Sequence, residues 1–390
     1  MQLLRTGDNG PAVAEVRSAL REFGLLPELA PGDGATDDHY DGSVEQAVRA
    51  FQQGRGLITD GIVGPATYRA LREARWRLGD RMLALMLSAP MAGDDVFALQ
   101  ERLLELGFDT GRPAGVFDAQ TERALRGFQR EFGLNQDGIC GPATLRALRQ
   151  LGRKVTGGRP ALLREQERVR TAGPRLRGKR IIIDPGHGGP DRGVTVDRVA
   201  ESDLMWDLAR RLEGRMAATG MEALLSRGEH SCPPEAERAA FANAAGADML
   251  LSLHTDANRG MHAQGLATFH FGTADGSTST VGEALAGLIH RELVARTRML
   301  DCGIQPRTWE MLRLTRMPAV RIEVGYLTNL GDRRKLLDPV FRDIVAEGIL
   351  VAVKRLYLLG QDDQPTGTFT FQDVLARELA RAAGSSATTQ

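Results

Sequence analysis

The chain has 390 residues, with 50 Lys+Arg against 50 Asp+Glu, 42% hydrophobic residues and 5% aromatic ones. That length holds two or three domains, and the apolar fraction excludes wholesale disorder. No run approaches the roughly 20 apolar residues that cross a bilayer, and zero net charge argues against a general affinity for nucleic acid or anionic membrane. The three cysteines, Cys140, Cys232 and Cys302, are odd in number and far apart. A disulfide framework or a four-cysteine zinc site is thereby excluded. Cys140 reads as a small buried side chain. Met1 to Asp8 has no basic segment followed by an apolar one, so the expectation is no signal peptide and a cytoplasmic protein.

In chain order, the first signal is a repeat. Residues 40–72, YDGSVEQAVRAFQQGRGLITDGIVGPATYRALR, return at 117–149 as FDAQTERALRGFQREFGLNQDGICGPATLRALR. The pairing sets Phe51 against Phe128, Leu57 against Leu134, and DGIVGPAT against DGICGPAT. Upstream, VAEVRSALREFGL (13–25) matches VFALQERLLELGF (96–108), and the first copy carries a longer polar loop over 30–39. Val13, Val16, Leu20 and Phe23 have helical spacing, and Gly24 and Gly107 close the first helix of each copy. A second helix leads to Phe-Gln, and Gly-Pro-Ala-Thr opens a third. The expectation is two small all-α three-helix modules, 1–75 and 88–152. Both copies resemble the peptidoglycan-binding type 1 module. The resemblance implies peptidoglycan, or muropeptide and precursor fragments, as ligand. Phe51, Phe128, Leu57 and Leu134 themselves read as core.

Residues 76–92 (WRLGDRMLALMLSAPMA) form an apolar stretch too short to span a membrane, expected as a helix packed between the modules. Residues 153–177 are basic and punctuated by Gly and Pro, a linker with a helical turn or two. From Gly178 the pattern changes. Strands are expected at 180–184, 221–226, 248–254, 266–271 and 318–326, and helices at 204–216, 235–245, 281–294 and 338–357. This alternation predicts an α/β domain over 178–358, with a mixed sheet layered by helices. Ligands of such sheets gather at the carboxyl ends of strands. His187, His254 and Glu323 fall at or just beyond those ends.

These residue types suggest a metal. Catalytic zinc takes three ligands from His and carboxylate and keeps a fourth position open. His187 lies on a Gly-rich turn, Glu201 opens a helix, His254 ends a strand, and Glu323 is placed to act as a base. Each residue taken alone is more often structural. Four segments in order then carry a resemblance: DPGHGG (184–189), Glu201 at a helix start, SRGEH…ERAAFANAAGADMLLSLHTDA (226–257) and MPAVRIEVGYLTN (317–329). Together they are similar to the zinc-dependent N-acetylmuramoyl-L-alanine amidases of type 3, over about residues 178–357. The resemblance implies zinc held by His187, Glu201 and His254, with Glu323 catalytic. It further implies hydrolysis of the amide between the lactyl group of muramic acid and L-alanine. Among the other histidines, His270 is expected to line the cleft, and His39, His230, His262 and His290 to lie on the surface.

Arg321 departs from the family, which usually has an apolar residue there. Strand side chains alternate, so Arg321 shares a face with Glu323 and can pair with it and lower its pKa. The opposing reading is that Arg321 turns to solvent or pairs elsewhere. Two repeats before such a domain, without a leader, resemble the actinobacterial CwlM-like group. That resemblance implies an alternative function: a cytoplasmic regulator of peptidoglycan precursor synthesis with little or no hydrolase activity. Its implied partners are UDP-N-acetylglucosamine 1-carboxyvinyltransferase and a Ser/Thr kinase. The tail, 359–390, offers one short helix over 371–383 and the candidate phosphosites Thr366, Thr368, Thr370, Thr388 and Thr389.

Overall fold

The structure is a computed structural model that describes residues 3–27, 38–86, 88–150, 160–173, 175–258, 260–273, 278–357 and 376. The tail threonines and almost all of the expected 371–383 helix lie outside the described residues. The chain divides into two units, one built on the first 150 residues and the other on the segment from Arg164 onward.

The first unit is helical. Its first copy holds α1 (Pro11–Glu22), α2 (Gly42–Gly54) and α3 (Pro65–Ala74), and its second α4 (Asp94–Glu105), α5 (Ala119–Glu131) and α6 (Pro142–Gln150). Asp41 caps α2 by accepting from the Val44 N–H, and Asp118 caps α5 by accepting from Thr121. Phe51, Phe128 and Leu57 are buried as core, and Leu134 packs partly buried against the second copy's core. The Phe-Gln signature has a second half that sequence reading passed over. The Gln52 amide donates to Asp60, Ile62 O and Thr67, and Gln129 donates to Asp137, Ile139 O and Thr144. Each glutamine thus ties its Asp-Gly turn to the third helix, fully satisfied and buried.

The expected helix over 76–92 does not form. Gly79 and Pro90 interrupt it, and Leu83 instead bridges Cys140 in antiparallel pairing, as Leu4 bridges Val63 in the first copy. Leu83 is fully buried in the second copy's core, and Cys140 is buried beside it. The apolar stretch therefore opens the second repeat.

The second unit takes in all but the first four residues of α7 (Pro160–Thr171), a helix of three turns where one or two were expected. Then follow β1 (Arg180–Pro185), the hairpin β2 (Thr195–Val196) and β3 (Val199–Ala200), α8 (Glu201–Ala218), β4 (Glu222–Leu225), α9 (Glu235–Ala244) and β5 (Met249–Asp256). The chain continues with β6 (Leu266–Phe271), α10 (Thr280–Thr297), β7 (Asp301–Arg307), α11 (Glu310–Leu314), β8 (Ala319–Tyr326), α12 (Leu330–Leu337) and α13 (Pro339–Leu356). The six-stranded sheet runs β4-β1-β5-β8-β6-β7, parallel except where β6 meets β8. β7 was not anticipated. As an edge strand with internal Gly303 and Pro306 it lacks the apolar alternation that betrays a strand.

Period-two alternation sorts the strands into layers. Ile181, Ile183, Leu251, Leu253, Val320, Ile322 and Val324 pack with α8, α10 and α13. Ile182, Leu250 and Ala319 turn to the other face, with α9 and α11. By the same alternation, Asp184, Ser252, His254, Arg321 and Glu323 project on the α9/α11 side. The apolar layer holds the strands still from behind.

Candidate metal centre

The polar side chains of that face converge at the carboxyl ends of β1, β5 and β8. Glu201 starts α8 directly after the β2/β3 hairpin, whose Asp197 and Arg198 both have left-handed backbones (φ 50 and 67). That tight turn aims a fully buried carboxylate inward. Its Oε1 accepts from the Thr255 N–H at 2.9 Å and lies 3.0 Å from His254 Nδ1. Its Oε2 accepts from the Val194 N–H at 3.1 Å and lies 3.3 Å from His187 Nε2. His187 itself sits in the left-handed region (φ 58), and its Nδ1 meets Asp191 Oδ2 at 2.8 Å. Burial and the Arg321 charge push the His254 imidazole below its ordinary pKa, against the hydrogen bond and charge of Glu201. Burial raises the Glu201 carboxyl, but the hydrogen bond and charge of His254, with the charge of His187, outweigh it and lower its pKa.

One potential ligand atom from each of His187, Glu201 and His254 lies within 4.8 Å of the others. Zinc bonds of about 2.0–2.2 Å place tetrahedral ligands about 3.3–3.6 Å apart, close to the contacts around Glu201. Small residues make the room. A Cβ on Gly186 would overlap the His254 ring, and one on Gly193 would lie 2.6 Å from His187 and 2.7 Å from Glu201 Oε2. The donor set and its glycine cradle fit a zinc ion.

Behind this trio lies a buried network absent from the candidate set. Asp184 accepts from Ser226, Arg238 and Ser252, all buried. Arg227 donates to Pro185 O and Gly186 O, pinning the turn that carries His187. Asp184 stood inside the DPGHGG segment and Arg238 inside ERAAF, but no local pattern shows that the two, 54 residues apart, form a buried pair. Asp191 was likewise missed.

Glu323 neighbours His254 across paired strands. Burial pushes its carboxyl up to about 7; the Arg321 guanidinium pulls it down, while Asp256 and Glu201 raise it further. The expected pairing with Arg321 forms, at 3.2 Å. Its expected net effect does not, because desolvation of the carboxylate exceeds the attraction. His270 is buried, with Nδ1 3.1 Å from Phe271 O, and stands outside the trio. His290 is also buried, 2.6 Å from Asp301, and is not a surface residue. His39, His230 and His262 are exposed.

The family described as N-acetylmuramoyl-L-alanine amidase matches residues 181–355, and the one described as a putative peptidoglycan binding domain matches 9–71 and 92–148. The N-acetylmuramoyl-L-alanine amidase CwlM of Mycobacterium tuberculosis is 54% identical over 385 residues, which span 97% of this chain and 95% of that one. The chain belongs to the N-acetylmuramoyl-L-alanine amidase family. Its second unit is the amidase domain, a hydrolase, preceded by two peptidoglycan-binding modules. The amidase LytC of Bacillus subtilis is 31% identical over 172 residues, 44% of this chain and 34% of that one. Among solved structures, an N-acetylmuramoyl-L-alanine amidase of Clostridium difficile is 30% identical, covering 47% of this chain and 99% of its own, with a TM-score of 0.45. No helix among the described residues is long and apolar enough to cross a membrane.

Proposed function

We propose that this amidase is zinc-dependent, with His187, Glu201 and His254 as ligands and Glu323 as general base, and that it cuts the muramoyl–L-alanine amide of peptidoglycan. The convergence of that trio beside Glu323 carries the reading. When bound at such a site, zinc supplies Lewis acidity that lowers the pKa of a coordinated water toward about 7 and polarises a carbonyl. Asp191 fixes His187 Nδ1 and turns its Nε2 into the site. His254 would offer a ring-nitrogen lone pair there. Glu323 takes a proton from the attacking water and returns it to the departing alanine amine as the C–N bond breaks. The two repeats hold the enzyme on its polymeric substrate. Metal analysis together with hydrolysis of muramoyl-peptide tests this reading. His254→Ala loses zinc, and Glu323→Ala keeps zinc but loses about 10²–10⁴ in rate. Full zinc in the first variant, or full activity in the second, refutes the assignment.

A second reading draws support from the Arg321–Glu323 pair, which engages the base. Here the chain is a cytoplasmic regulator of precursor synthesis, acting on UDP-N-acetylglucosamine 1-carboxyvinyltransferase and phosphorylated by a Ser/Thr kinase on tail threonines. Intact-mass analysis from the native host and co-purification of the transferase test it. A single unmodified mass with no transferase bound removes it.

A further inference from the structure

Arg321 is not held as a purely structural arginine would be. Its guanidinium lies over the Trp309 ring, 4.4 Å from the centroid, and Trp309 packs on Phe269 at 4.7 Å. A second guanidinium, Arg307, lies over Phe269 at 5.5 Å. Two cations thus flank one aromatic pair beside Glu323. Both have a buried Nε with no hydrogen-bond partner. Arg321 reaches Glu323 at 3.2 Å through one nitrogen and approaches Glu235 only to 4.0 Å, while 21% of its side chain stays exposed. A stacked, pre-aimed guanidinium fork with unused donors suits a planar carboxylate.

The spacing suits one too. The Cα atoms of Arg321 and Glu323, two residues apart on a strand, lie about 6.6–6.8 Å from each other, so a guanidinium released from its 3.2 Å contact can stand one such step from the base. In a muramoyl-peptide, the residue after L-alanine is a γ-linked glutamate whose α-carboxylate is either free or amidated. That group lies within two residue lengths of the scissile amide, at most about 7 Å.

We propose that Arg321 is a specificity residue that recognises this free α-carboxylate, exchanging its contact with Glu323 for the substrate as the scissile amide is seated. The exchange leaves Glu323 unpaired when it must accept a proton. An amidated substrate offers no charge to draw Arg321 away, so the base stays engaged. The inference rests on the hydrolytic reading for its consequence in rate, but not for its consequence in binding.

The test uses the full chain and two measurements. Calorimetry with the γ-methylamides of L-alanyl-D-glutamate and L-alanyl-D-isoglutamine (the isoglutamate and isoglutamine forms), which differ only at the α-carboxyl group, needs no catalysis. Wild type is expected to bind the isoglutamate form about tenfold or more tightly. Arg321→Leu binds both alike, and Arg321→Lys, which keeps charge without the fork, falls between. Kinetics with the corresponding muramoyl-dipeptides gives the second reading. Arg321→Leu raises KM for the isoglutamate form about tenfold and raises kcat on the isoglutamine form. Equal binding of the two dipeptides by wild type, no binding of either, or a preference surviving in Arg321→Leu overturns the proposal. Preferential binding through Arg321 without turnover of either muramoyl-dipeptide upholds the site and refutes the hydrolytic reading instead.

Discussion

His254 on β5 and Glu323 on β8 are direct partners in the parallel sheet. Their side chains rise on one face, a single strand spacing of about 4.8 Å apart. Behind them Leu253, Ile322 and Val324 are fully buried. A candidate ligand and the candidate base are therefore set by the sheet itself and need no loop to close over them. The ladder becomes irregular only past His254, between it and Asp256.

The glycine cradle gives a steric test. Gly186→Ala puts a methyl into the His254 ring, although the backbone there needs no left-handed conformation. Zinc affinity is expected to fall at least 10–100-fold, the scale seen when ligand orientation is disturbed. Competition with a chromophoric chelator measures it. Affinity within twofold of wild type would mean that His254 does not need its present position.

Asp191 orients His187 from outside the trio. Asp191→Asn weakens the hold on the His187 tautomer without removing a ligand, and zinc affinity should drop about 10–100-fold. The fold should be unaffected, since Asp191 is exposed. Unchanged circular dichroism with reduced zinc uptake is the expected pair of results.

Asp184 should matter for stability more than for chemistry. Burial alone raises its carboxyl, but Arg238, Ser226 and Ser252 outweigh that and hold it below the usual carboxylate range. A carboxyl depressed on folding contributes stability above its unfolded pKa of about 3.9 and loses it as pH falls through the folded value. Asp184→Asn leaves Arg238 buried and uncompensated, costing about 3–5 kcal/mol. Urea midpoints should therefore differ strongly at pH 7 and converge toward pH 3. A constant gap across that range would rule out the ionised pair.

Leu83 probes the start of the second repeat. Leu83→Ala empties a fully buried position in that module and should cost about 2–5 kcal/mol. Zinc content should not change, because Leu83 belongs to the other unit. A loss below 1 kcal/mol would mean that the segment is not part of the module core.

The sequence by itself determined most of the elements, though not β7, and the residue types of the site. The repeat was legible because helical spacing and Gly-Pro-Ala-Thr starts are local signals, and strands 266–271 and 318–326 because buried strands show continuous or alternating apolar runs. The family's motifs pointed to His187, Glu201, His254 and Glu323, residues scattered over more than a hundred positions. Only the tertiary structure brought them together, since strand order β4-β1-β5-β8 is a non-local pairing that no local pattern encodes. The supporting groups, Asp184, Asp191, Arg227 and Arg238, were invisible for the same reason: their role is defined by what lies across from them. Residues 76–92 show the opposite failure, an apolar run read as a helix whose backbone is instead claimed by Cys140. The Arg321–Glu323 pair was legible as a shared face. Whether Glu323 would be lowered or raised was not, because burial is a property of the folded chain and it outweighs the charge beside it.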